Sequence, residues 1–185
     1  RGFIYKGNSS KECSCHRTYR LTSRYNGIAE ASGLPSYEEL HKLKYLGETD
    51  VFKKLRSLPE QIAKKHLKNV LLFVTGGLRN QKTTSVAKTI YGIVTSGKTV
   101  KYLLFSDLIE SFTKNETSDD LVSTDWLIID DCFEGETVNF KTTYNQFYNL
   151  ILKRNKPTII VSSLSKYDLM NRKDLPSYNY DMLVK

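Results

Sequence analysis

Residues 70–84 hold the clearest chemistry in the chain. The apolar run Val70-Leu71-Leu72-Phe73-Val74 leads through Thr75 into Gly76-Gly77-Leu78-Arg79-Asn80-Gln81-Lys82-Thr83-Thr84. A strand that runs into glycines, followed by a Lys-Thr pair opening a helix, is the layout of a phosphate-cradling loop, G-x-x-x-x-G-K-[ST]. Backbone N–H groups there converge on an anion beside a helix N-terminus and its partial positive charge. Gly76 and Gly77 let the chain turn with no Cβ in the way. Lys82 is placed to reach terminal phosphates, and the Thr83 hydroxyl to meet a Mg²⁺ ion. Gln81 stands where the pattern has its second glycine. A left-handed backbone there costs roughly 1–2 kcal/mol, and the side chain can intrude on the phosphates. The pattern therefore predicts nucleotide binding more firmly than turnover. The bland alternative is a glycine-rich turn with an exposed lysine.

A second group supports the first. Trp126-Leu127-Ile128-Ile129-Asp130-Asp131 is an apolar strand ending in two carboxylates. An acid at such a strand end can hold Mg²⁺ through water. We expect Asp130 on the metal side and Asp131 positioned to orient or deprotonate a water. The competing reading is a strand followed by an ordinary acidic turn.

These residues need elements to hold them. Strands are expected over 70–74, 100–105, 126–129 and 157–161. A helix is expected over 82–96, with Val86, Ala87, Ile90, Tyr91 and Val94 on one face and Gly97 ending it. A short helix follows from Asp107, residues 114–124 read as a polar loop, and Phe140, Tyr144, Phe147, Tyr148 and Ile151 mark another helix face. Strands alternating with helices predict an α/β fold with a parallel sheet and right-handed crossovers. Upstream, residues 36–67 read as helical: Ser36 and Glu39 have capping-box spacing after Pro35, and Ser57 and Glu60 repeat the cue around Pro59. Residues 1–25 show little core-forming periodicity.

The chain has 185 residues, 39% hydrophobic and 26% charged, enough for one globular domain with a small appendage. No apolar run approaches the ~20 residues of a membrane span, and no signal peptide is seen, so a cytoplasmic protein is expected. Three cysteines do not suggest a disulfide framework, which favours a reducing compartment. The chain begins at Arg1, as a fragment or processed product would. The net charge is +8, and Arg1, Lys6, Lys11, Arg17, Arg20 and Arg24 face a single acid, Glu12, in the first 24 residues. This asymmetry favours a polyanionic partner, against the alternative of a merely solvated face.

The region around these motifs resembles the bacterial and phage DnaC/DnaI-type helicase loaders of the AAA+ ATPase superfamily, and the related IstB-type transposition helpers, and the match covers most of the chain. The resemblance rests on Gly76–Thr84, on Leu127-Ile128-Ile129-Asp130-Asp131, and on Lys156-Pro157-Thr158-Ile159-Ile160-Val161-Ser162-Ser163-Leu164-Ser165. It implies an AAA+ nucleotide-binding domain over 36–185, shortened at its C-terminal end. ATP or ADP would sit on residues 76–84, Mg²⁺ on Thr83 and Asp130, and Asp131 would position water. Ser163 falls where the family carries a γ-phosphate-sensing polar residue, typically Asn. The implied partners are single-stranded DNA, a replicative helicase and a further copy of the chain in a homo-oligomer. The implied role is loading or assisting that helicase. The alternatives are a transposition helper and a nucleic-acid-binding adaptor whose ATP site has decayed. Gln81 and Ser163 depart from the family pattern, and no arginine after Arg154 except Arg172 is available as a finger.

Residues 1–35 resemble the same family's zinc-containing segment, through Gly2-Phe3-Ile4, Cys13-Ser14-Cys15-His16 and Arg24-Tyr25. Structural zinc takes four ligands. Cys13 and Cys15 could hold Zn²⁺ only with ligands outside this chain; otherwise they read as two free thiols in a basic arm. Tyr144 and Tyr148 read as packing. Lys153, Arg154 and Lys156 read either as phosphate contacts or as complements of a helix dipole.

Overall fold

The computed structural model describes residues 3–6, 9–43, 57, 60–61, 70–76, 82–114, 119–134 and 140–171. Four parallel strands form the central sheet: β3 (Leu71–Thr75), β4 (Val100–Leu104), β5 (Trp126–Asp130) and β6 (Thr158–Ser162). Their order is β3-β6-β5-β4. Leu71 pairs with Thr158, Thr75 with Ser162, and Leu127 with Thr158, so β3, β6 and β5 run in step and end together. The two central strands are buried at every position, as continuous apolar runs covered on both faces should be.

Period-two alternation divides these strands between two cores. Leu72, Val74, Tyr102, Trp126, Ile128, Ile159 and Val161 face one layer, and Phe73, Leu103, Leu127, Ile129 and Ile160 face the other. The first layer holds α1 (Ser14–Ala31), α2 (Tyr37–Lys42) and α3 (Lys82–Thr95). The second holds α4 (Phe105–Thr113), α5 (Asp119–Ser123) and α6 (Phe140–Lys153). A last helix, α7, spans Lys166–Asn171.

Local chemistry explains most boundaries. The expected capping box at the start of α2 is present: Ser36 N–H donates to Glu39 Oε2 at 2.8 Å, and Glu39 N–H to Ser36 Oγ at 3.3 Å. Helix α3 ends at Gly97, whose φ of 81° is a left-handed position that glycine takes without strain. In α3, Ser85, Val86, Ala87, Thr89, Ile90, Ile93 and Val94 are buried, because α3 packs on the sheet beneath and on α1 and α2 outside.

Two expectations need correcting. The polar stretch 114–124 is not all loop: Asp119–Ser123 forms α5, anchored by buried Leu121. More substantially, an eighteen-residue helix, α1, lies where little core-forming periodicity was read. Its inner face is narrow, with Tyr25 and Ala29 buried and Leu21 and Ile28 half-buried. Tyr25 donates its hydroxyl to Pro35 O at 2.8 Å, and Tyr37 N–H donates to Asn26 Oδ1 at 2.8 Å. Within the segment 1–35, Tyr25, Ala29 and Leu34 thus share a core with α3 and the sheet. Before α1, Phe3–Lys6 (β1) and Ser9–Glu12 (β2) pair antiparallel, Phe3 with Glu12.

Candidate nucleotide site

Three adjacent strands end on one edge of the sheet, and each delivers chemistry there. Strand β3 leads to Gly76, β5 ends in Asp130, and β6 leads through Ser162 to Ser163. Helix α3 begins with Lys82, so its N-terminus opens on the same edge. In open parallel sheets, ligands bind outside the carboxyl ends of the strands. Of the expected phosphate loop, Gly77, Leu78, Arg79, Asn80 and Gln81 lie outside the described residues. Gly76, Lys82, Thr83 and Thr84 are described. Lys82 is half-buried, and its Nζ donates to Gly76 O at 2.6 Å. The Thr83 side chain is exposed in the first turn of α3.

Asp130 is 3% exposed. A buried carboxylate needs partners, and it has two: Tyr102 OH donates to Oδ2 at 2.8 Å, and Asp131 N–H donates to Oδ1 at 2.9 Å. Register places Asp130 opposite Leu104, so Tyr102 is its diagonal neighbour on the same face. Burial, followed by the Asp130 charge, pushes the Tyr102 phenol far above its ordinary range, so it stays a proton donor. Each oxygen of Asp130 retains acceptor capacity beyond these bonds.

Asp131 is exposed, with a left-handed φ of 52°; two residues on, Phe133 has φ 67°. Non-glycine residues rarely take this conformation. Buried Phe133 packs against Phe105 and Phe147, and Cys132 N–H donates to Val161 O at 2.8 Å, which together hold the turn in place. The Asp131 carboxyl is raised above the usual range by burial first, then by Asp130 and Glu134; Lys82 opposes the shift. Lys82 and the acidic strand end therefore already feel each other electrostatically. Among the described residues no group of three or more His, Cys, Asp or Glu could hold a metal by itself. That suits a Mg²⁺ ion, which commonly takes one or two carboxylates and completes its shell with phosphates and water.

Sequence reasoning missed three participants. Ser162, not Ser163, is the buried serine of the strand end: its hydroxyl donates to Cys132 O at 2.6 Å. Ser163 is half-buried one residue further, and its N–H donates to Glu134 Oε1 at 2.9 Å. Glu134 thus ties the turn after β5 to the turn after β6. The Tyr102–Asp130 bond joins neighbouring strands far apart in sequence, so no local spacing signals it.

Cys13 and Cys15 stand at the start of α1. They were expected as reduced thiols or zinc ligands, but the structure pairs them in a disulfide with Cα atoms 5.5 Å apart, within ordinary bridging range. Cys13 caps α1, its sulfur accepting from His16 N–H. A sulfur in a disulfide offers no thiolate, so any zinc here belongs to the reduced form.

Several solved structures share this architecture. One is the replication initiator DnaA bound to AMPPCP and single-stranded DNA, with TM-score 0.60 and 16% identity over 78% of this chain and 46% of that one. A DNA replication initiation factor matches at TM-score 0.61 and 18% identity, over 81% and 48%. The chain shares its α/β fold, a four-stranded parallel sheet between helices, with these structures. A protein described as a primosome component from Streptococcus pyogenes serotype M3 matches at TM-score 0.58 and 16% identity, over 85% and 89%. The chain spans about half the length of the two initiator structures. No protein-family profile matches it, and no curated protein sequence does. Among the described residues, no helix is long and apolar enough to cross a membrane.

Proposed function

We propose that this chain is a Mg²⁺·ATP-binding AAA+ domain that works in DNA replication, contacting single-stranded DNA and assisting a replicative helicase. One observation carries the reading. The Lys82 helix start and the Asp130–Asp131 pair, distant in sequence, meet at the ends of strands in step on one sheet edge. Lys82 neutralises the phosphates, the Thr83 hydroxyl and Asp130 hold Mg²⁺, Asp131 orients water, and Ser163 senses the terminal phosphate. Bound Mg²⁺·ATP supplies a phosphoryl group for transfer to water. Tyr102 fixes the Asp130 carboxylate in place, and Glu134 fixes the backbone at Ser163. Burial, then Asp130 and Glu134, raise the Asp131 carboxyl, and a divalent cation held at this strand end would oppose that shift.

Titration of the chain with a fluorescent ATP analogue and Mg²⁺ tests the reading. Saturable binding that Lys82→Ala weakens is expected; no binding at millimolar nucleotide overturns it. Capture of a replicative helicase in preference to a transposase separates the loader role from the transposition helper. A second reading, a domain that binds ATP without turning it over, is favoured by Gln81 in place of glycine and by the short side chain of Ser163. Single-turnover hydrolysis at the level of the Asp131→Asn variant would select it.

A further inference from the structure

The outward face of α1 matches no need of the fold. Its inner face is fixed on α3 through Tyr25 and Ala29. On the outer face Arg17, Arg20 and Arg24 are exposed at i, i+3 and i+7, a single stripe along the helix. Arg20 is partly neutralised, its Nε and Nη2 donating to the Glu12 carboxylate at 3.1 and 3.2 Å. Arg17 and Arg24 have no ion pair among the described residues. On the other flank Tyr19 is 72% exposed, so its ring is open to solvent. Between the flanks lie exposed Ser23 and Gly27. A Cβ at Gly27 would meet nothing within 4 Å, so packing does not demand glycine there. Glycine inside a helix costs about 1 kcal/mol relative to Ala. The outer surface of α1 thus carries arginines along one flank and an open aromatic ring on the other.

We infer that this face of α1 is a docking surface for single-stranded nucleic acid, with phosphates along the arginine stripe and a base stacked on Tyr19. The stripe is roughly 10 Å long at about 1.5 Å per residue, the span of three phosphates of a stacked strand at about 3.4 Å each. Arginines and an open aromatic ring exposed on one helix are the combination that single strands use, charge for the backbone and a π-face for any base. A membrane surface fits poorly, because Tyr19 alone offers apolar area on this face. Glu30 is the one acid in α1, and it lies C-terminal to the stripe. Because α1 rests on α3, the nucleic acid would be held on a helix packed against the one that starts with Lys82. The inference rests on the proposal that the chain contacts single-stranded DNA and says where.

The test is fluorescence anisotropy with labelled poly(dT) across a salt series. It compares the wild type, Arg17→Ala/Arg24→Ala, Tyr19→Ala, and Lys101→Ala, an exposed charge on strand β4. The double variant should lower the salt-dependence slope by about 1.4, at about 0.7 per phosphate on a single strand. Tyr19→Ala should weaken binding by at least about fivefold, and Lys101→Ala should leave the slope unchanged. All variants should keep the wild-type circular dichroism and Mg²⁺·ATP affinity. A wild-type slope and affinity in both α1 variants overturns this surface while the DNA-binding reading stands. The same result with weakened helicase capture reassigns the stripe to an acidic protein. A wild type that binds no single strand at low salt overturns both.

Discussion

At the N-terminal edge of the sheet, Arg154 is buried between the end of α6 and the starts of β5 and β6. It donates to Thr158 Oγ1 at 3.0 Å and to the carbonyls of Val122, Thr124 and Pro157 at 3.3, 3.2 and 3.1 Å, and also to Leu121 O. At the C-terminal edge, Lys82 donates to a carbonyl of its own loop at 2.6 Å and stands within the field of Asp131. Both are cations at strand ends, yet one has all its donors absorbed by the fold and the other holds a position a ligand can claim. Burial brings the Arg154 guanidinium down to about 10, still far above neutral, so it remains charged in its nest of carbonyls. Of the two roles read for it from sequence, phosphate contact is excluded by that burial. The lower edge of the sheet is stitched together, and the upper edge is where chemistry is assembled.

Substitutions can break this contrast. Arg154→Ala leaves several buried carbonyls without a donor and should cost about 3–5 kcal/mol in urea unfolding. Arg154→Lys should recover less than half, since an ammonium lacks the planar fork. A loss below about 1 kcal/mol would show that Arg154 is dispensable and collapse the comparison. Lys82→Ala should lower Mg²⁺·ATP affinity roughly tenfold to a hundredfold, the worth of a charged hydrogen bond, while the melting temperature barely moves. A large stability loss instead would make Lys82 structural like Arg154.

Smaller effects sharpen the picture within each edge. Tyr102→Phe removes a donor from a buried carboxylate and should cost about 1.5 kcal/mol; it should also alter the Mg²⁺ dependence of nucleotide binding. At the lower edge, Asp125 Oδ2 accepts from Thr99 N–H and Thr99 Oγ1, each at 2.9 Å, and these bonds to Thr99 hold its carboxyl below the usual range. Asp125→Ala should cost about 1 kcal/mol near neutral pH. Because the folded carboxyl titrates lower than the unfolded one, its contribution is complete above the unfolded value, about 4, and is lost as pH falls through the folded value. Melting curves of wild type and variant should therefore converge in acid.

The sequence makes the sheet legible because β5 and β6 are unbroken apolar runs, and Gly97 and the Ser36–Glu39 box mark helix ends by their own chemistry. The site's skeleton is legible for the same reason: Asp130 ends an apolar strand, and Lys82 opens the helix that follows another. Helix α1 escapes notice because its outer face carries three arginines and its inner face is only a few residues wide. Tyr102, Ser162 and Glu134 escape because each acts through a partner that only the folded sheet brings near. The Arg154 nest is hidden by type, since an arginine among Lys153 and Lys156 reads as surface charge until its acceptors, all backbone carbonyls but one, are seen.

Trp126 is the only tryptophan in the chain, buried at the first position of β5, and its backbone N–H donates to Thr99 O at 3.0 Å. Asp130 ends the same strand roughly 13 Å away, at about 3.3 Å per residue. The chain therefore carries an intrinsic optical probe at the stitched edge, joined to the reactive edge by one strand. Its emission should track global unfolding with little interference from ligand. Any spectral change on adding nucleotide would mean that β5 transmits the event along its length.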